Sequence, residues 1–292
     1  MRAQDWIRFA VLCAIWGSSF VFIRICAPAL GPPLTAAGRV GMAGIVLVIY
    51  LRIIGFDTKW RQFRGYYFKL GLLASGLPFV CFAYGALYLP ASLLSIINAC
   101  TPLFGAVFGA IWLGEGFGWR RAIGVSMGVI GVALANRLGN VELTPATILA
   151  MGVTLIAPLS YALAGIYHKL RVSFLPAQGS AAWSQLSVAP LLLLFLPLAP
   201  PQQWPSPTVA GAWLTLSILC SAVAYLIFYR LLADIGPTKT TTITFVIPVF
   251  GMMWGALLLG ERITGGMIVG SVIMIAGTWL VVTPARTDRD AD

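Results

Sequence analysis

Residues 102–115 read PLFGAVFGAIWLGE, and residues 248–261 read PVFGMMWGALLLGE. Sliding the chain on itself by 146 positions superimposes the two without a gap. Ten positions between 102 and 131 are identical in the two copies, among them Pro102/Pro248, Gly105/Gly251, Gly109/Gly255, Glu115/Glu261, Gly124/Gly270 and Gly131/Gly277. The chain is therefore two related halves, with bounds expected at 1–140 and 141–292.

Working outward from these blocks, the flanking sequence is apolar almost throughout. Of the 292 residues, 59% are hydrophobic and 10% charged, and the mean hydropathy is +0.91; soluble domains carry about 25% charged residues. A helix needs about 20 apolar residues to cross a hydrocarbon core of ~30 Å. Ten such runs are predicted, near 7–26, 34–54, 68–88, 91–113, 120–137, 146–168, 179–198, 209–232, 238–259 and 265–283. The expected fold class is an all-α integral membrane protein. No stretch remains for a separate soluble catalytic or nucleic-acid-binding domain.

The net charge of +10 has its own explanation. With the N-terminus placed inside, fifteen of the nineteen Lys and Arg fall in inside loops and termini, two in outside loops, and two, Arg24 and Arg39, within spans. Such a bias marks the cytoplasmic side of a membrane protein, so both termini are expected to be cytoplasmic and no nucleic-acid partner is implied. The cysteines, Cys13, Cys26, Cys81, Cys100 and Cys220, lie inside apolar runs without paired spacing. They read as small packing residues rather than disulfides or metal ligands.

Five spans per half is an odd number, so the second half starts on the opposite face and the repeats cross the bilayer in opposite senses. Inverted five-helix repeats around a central cavity are a plan of secondary transporters, with the solute held between the halves near the midplane. Within the repeat, Pro102 and Pro248 each remove a backbone donor. Gly105 and Gly251 stand three residues on, at a spacing that also lets helices pack closely. These four residues are the candidate hinge.

Further motifs resemble a known family. Trp16-Gly17-Ser18-Ser19-Phe20 in the first span, Arg39 near the start of the second, Thr101-Pro102-Leu103-Phe104 and Leu113-Gly114-Glu115 are similar to the ten-span EamA-type members of the drug/metabolite transporter superfamily. Within that group the chain resembles bacterial aromatic amino acid exporters. The resemblance implies a basket-like packing in the bacterial inner membrane, with spans five and ten at the periphery and the cavity lined by the others. In the second half, Ala157-Pro158-Leu159-Ser160-Tyr161 replaces the first-span motif, so the two sides of the cavity are expected to differ.

All nine Asp and Glu fall in termini, loops or span ends. A proton-exchanging acid for bulky cations is thus missing from the span centres, and facilitated export down a gradient is the expected mode. Arg24 and Arg39 have two readings: snorkelling to the headgroups, or turning inward to bind a substrate carboxylate through the guanidinium fork. The neutral groups that suit a zwitterion with an apolar side chain are Trp16, Ser19, Tyr84, Asn98, Tyr161, Tyr225 and Thr242; with Arg39 they form the candidate substrate-binding set. His168 has both a headgroup-contacting and a proton-relay reading. No catalytic constellation, metal or cofactor signature occurs, so an enzyme is not expected. The sequence reading is a monomeric alternating-access exporter of amino acids, aromatic or otherwise apolar, whose partners are its solute and the lipid bilayer. Export of another metabolite, such as a nucleoside or sugar, and a lipid-handling role are the alternatives.

Overall fold

The computed structural model describes residues 2–137, 142–171, 177–202, 204–240 and 242–283, and among them every regular element is helical. The first, α1 (Ala3–Ile53), has 51 residues and would extend about 77 Å if straight, far beyond one bilayer crossing. It is broken at Gly31, flanked by Pro28, Pro32 and Pro33, where φ is 74° and ψ 156°. Only glycine adopts that backbone conformation readily, and a β-carbon there would stand 2.8 Å from the Ala199 carbonyl oxygen. Ser19 and Arg39 would lie roughly 30 Å apart along a straight helix, yet both line one cavity. The two arms fold back on one another at Gly31.

The remaining elements are α2 (Trp60–Gly71), a π turn at Leu72–Gly76, α3 (Leu77–Gly85), α4 (Ala91–Asn98), α5 (Thr101–Leu113), α6 (Trp119–Arg137), α7 (Pro145–Arg171), α8 (Ala177–Leu193), a 3₁₀ turn at Leu196–Leu198, α9 (Pro207–Ser217), a second π turn at Ile218–Val223, α10 (Ala224–Ile235), α11 (Pro237–Thr240), α12 (Ile243–Leu259) and α13 (Gly265–Val282). Among the described residues, six helical runs are long and apolar enough to cross a membrane: α1, residues 60–85, 91–113 and 145–171, residues 207–235, and α13; α12 is a shorter apolar helix. Large apolar side chains such as Ile53, Ile111, Val129, Leu257 and Val272 are exposed, an arrangement that water disfavours and lipid accepts. Trp112, Trp119, Tyr88 and Trp204 are exposed too. All five cysteines are free and buried.

The 146-residue register reappears in the local structure. The two π turns begin at Leu72 and Ile218, and α4 and α11 begin at Ala91 and Pro237. Helices α6 and α13 meet through the repeated glycines. A β-carbon on Gly124 would lie 2.4 Å from the Gly277 carbonyl oxygen, and one on Gly277 2.5 Å from that of Gly124; for Gly131 and Gly270 the reciprocal distances are 2.6 and 2.4 Å. Residue numbers rise on one helix as they fall on the other, so the two run antiparallel. The shift of 146 turns Gly124 into Gly270 and Gly131 into Gly277, exchanging one contact for the other, as in a self-complementary contact across a two-fold axis. The second arm of α1 meets α8 in the same antiparallel sense, Gly44 against Leu186 and Gly41 against Ala189.

The expected hinge prolines differ in setting. Helix α4 ends at Asn98 and α5 begins at Thr101, so the break comes just before Pro102. Pro248 lies inside α12, whose break from α11 comes several residues earlier. The paired glycines differ as well. A β-carbon on Gly251 would collide with Ser95 at 2.3 Å, whereas nothing lies within 4 Å of one on Gly105.

Candidate functional site

A cavity of about 270 Å³ lies between both arms of α1, the first π turn and segments of α3–α5, α7, α10 and α12. Its walls are aromatic: Trp16 and Phe20 from the first arm, Phe79 and Phe82 from α3, Tyr161 from α7, and Tyr225 and Phe228 from α10. The rings support one another. Trp16 sits 5.4 Å from Phe228 and edge-on to Tyr225 at 6.2 Å, and Phe20 meets Phe82 edge-on at 5.4 Å. Such pairs favour offset and edge contacts over flat stacking, which leaves ring faces for a solute. Neutral polar groups complete the lining: Ser19, Asn98, Thr101 and Thr244.

Among the described residues, Arg39 is the one charged residue of the lining. It is 6% exposed, so of its two sequence readings snorkelling to the headgroups does not describe it. Its Nε donates to Ser221 Oγ at 2.9 Å, and its guanidinium carbon lies 3.7 Å from the centre of the Phe79 ring, close enough for cation–π attraction. Among the described residues no carboxylate pairs with it. Both π turns serve this site: Ala74, in the first, lines the cavity, and Ser221, in the second, anchors the arginine. π turns insert a residue and re-aim the helix face, often at functional positions.

Of the eight candidate binding residues, six line the cavity: Trp16, Ser19, Arg39, Asn98, Tyr161 and Tyr225. Tyr84 instead packs against Tyr88 at 5.5 Å, and Thr242 donates its hydroxyl to the Lys239 carbonyl oxygen; neither is among the lining residues. Arg24 donates to the carbonyl oxygen of Ala86 and lines a separate surface pocket with Tyr88, Glu142, Glu261 and Arg262. His168 Nδ1 lies 2.5 Å from the Tyr66 hydroxyl. The sequence reading did not single out Phe79, Phe82 or Ser221. Nothing in their sequence surroundings marks them, and only contact distinguishes them.

Residues 6–137 and 148–283 each match the EamA-like transporter family. The chain belongs to the EamA-like transporter family. An EamA-family chain is a multi-pass membrane transporter and not an enzyme. Relatives match over nearly the whole length. The uncharacterized transporter YvbV of Bacillus subtilis is 27% identical, covering 99% of this chain and 95% of its own. A probable amino-acid metabolite efflux pump of Salmonella typhimurium is 24% identical, covering 100% and 99%. The uncharacterized inner membrane transporter YedA of Escherichia coli is 25% identical, covering 96% and 95%. One crystal structure superposes with a TM-score of 0.68 over 96% of both chains at 17% identity, a likeness of fold.

Proposed function

We propose that this EamA-family chain exports amino acids, aromatic or otherwise apolar, across the bacterial inner membrane by alternating access of two inverted five-helix halves, residues 1–140 and 141–292. The observation that carries the substrate class is Arg39. A buried guanidinium without a carboxylate partner is costly in a low-dielectric site, and a solute carboxylate supplies the missing anion through a bidentate contact. The aromatic walls suit an apolar side chain, and Asn98, Thr101 and Ser19 offer oxygens to an ammonium group. A volume of about 270 Å³ is at the small end of ligand sites, roughly 300–1,000 Å³, and favours a single metabolite over a bulky drug. The Salmonella relative named as an amino-acid metabolite efflux pump agrees in kind.

Support for the inverted architecture comes from the exchange of the Gly124–Gly277 and Gly131–Gly270 contacts under the 146-residue shift, and from the π turns in the same register. Among the described residues no Asp or Glu lines the cavity, in keeping with facilitated export. The test is efflux and counterflow of radiolabelled phenylalanine in proteoliposomes without an ion gradient. The expected results are stimulation of uptake by internal amino acid and competition by free amino acids, with phenethylamine and phenylalanine methyl ester competing at least ten-fold less well. Equal competition by the decarboxylated amine overturns the carboxylate reading. Absence of trans-stimulation overturns alternating access.

A further inference from the structure

The repeated Gly-Glu motif ends α5 and α12 in the same geometry. Gly114 and Gly260 both have φ 66°, and the next residue, Glu115 or Glu261, turns its backbone N–H back to the carbonyl of Gly109 at 3.2 Å or of Gly255 at 3.1 Å. The carboxylates then diverge. Glu261, from the second half, accepts three bonds from the start of α4 in the first half: Ala91 N–H at 2.6 Å on Oε1, and Ser92 N–H at 3.0 Å and Ser92 Oγ at 2.7 Å on Oε2. A carboxylate on a helix N-terminus satisfies otherwise orphaned donors and meets the positive end of the dipole. Glu115, from the first half, instead makes ion pairs with Lys169 of α7 at 3.1 Å and with Arg121 at 3.4 Å. It lacks one donor that a copy of the Glu261 cap would use, because the 146 shift carries Ala91 onto Pro237, which has no N–H.

Both motifs therefore fasten one half to the other, with unequal strength. The Glu115–Lys169 pair is exposed, 37% and 63% for the two side chains, and exposed pairs contribute little. The Glu261 bonds are partly buried and charge-assisted, the stronger kind. Ser92 is six residues from the cavity-lining Asn98, about 9 Å along the chain.

We propose that Glu261 is a gating residue: its grip on Ala91 and Ser92 latches one mouth of the cavity shut, and the grip must be released in each transport cycle. This deepens the alternating-access reading and rests on it. The test uses the full chain in nanodiscs with the native cysteines replaced by alanine, and double electron–electron resonance between spin labels at Tyr88 and Ile263 on the Glu261 face, or at Phe117 and Leu170 on the Glu115 face. Glu261→Gln is expected to raise the ratio of long to short separations at 88/263 about ten-fold, as loss of charge-assisted bonds implies, with Ser92→Ala giving a smaller rise. The 117/170 pair is expected to shorten at the same time.

Unchanged 88/263 separations in both Glu261→Gln and Glu261→Ala overturn the latch, as does lengthening of both pairs together, which marks mere loosening. If the two faces of the unsubstituted protein move in opposite senses on adding phenylalanine while the Glu261 variants behave like it, the latch fails and alternating access stands. If no variant and no solute moves the faces reciprocally, alternating access fails and the latch with it.

Discussion

Arg39 keeps a cation inside apolar protein with one serine hydroxyl and one phenylalanine face for company. Its replacement by Gln is expected to weaken competition by free amino acids about 10- to 100-fold, equivalent to about 1.4–3 kcal/mol for a bond to a charged group. Lysine restores only part of this, because an ammonium lacks the planar fork. Competition constants against labelled phenylalanine measure both. Ser221→Ala, which removes only the anchor of Nε, is expected to cost about three- to ten-fold. That Arg39 needs a reason was legible in the sequence, since it is a charge within an apolar run, and the family resemblance put it ahead of Arg24 for the binding set. What was not legible is that Tyr84 sides with Tyr88 while Tyr161 faces the cavity. Tyrosines in helices of low amphipathicity carry no periodic signal of direction. The shift that relates the halves carries Arg39 onto Gln185, which is fully buried and is not a lining residue, so the cavity presents its cation from one side alone.

At the scale of elements, the repeated glycines have separate duties that identical letters conceal. Gly124, Gly131, Gly270 and Gly277 let the backbones of α6 and α13 come within contact, and Gly131→Val is expected to destabilise the fold by about 1–3 kcal/mol through overpacking, read as lowered thermal stability in detergent. Gly105→Ala, where the space is open, is expected to leave stability unchanged in the same measurement. Gly31→Ala forces a side chain into a glycine-only conformation and against Ala199, at a cost of about 1–3 kcal/mol. The sequence drew the first two apolar runs as separate spans, and two helices meet at the Gly31 kink; that the connection shrinks to a break at one glycine was not foreseen. The π turns went unannounced because an inserted residue in a uniformly apolar stretch leaves no change in pattern. Only their common register, 146 residues apart, ties them to the repeat.

At the scale of the molecule, large apolar side chains cover much of the surface as well as the core, with a few polar groups and Arg39 gathered at the cavity. The apolar surface was legible in composition. The charge bias predicts that both ends lie on the cytoplasmic surface, as the ten spans proposed from the sequence require. Fluorescent-protein fusions at either terminus are expected to fluoresce and alkaline-phosphatase fusions to be inactive. Activity of a phosphatase fusion at one end only overturns the even count.

The break at Gly31 has a consequence for how the chain enters the membrane. The two helices within Ala3–Ile53 meet across the kink at Gly31, and residues 27–34 carry no charged side chain, so almost no polar chain has to be translocated between the two arms. The arms are therefore expected to enter the bilayer together as a helical hairpin, which crosslinking of ribosome-stalled chains to the insertion machinery measures.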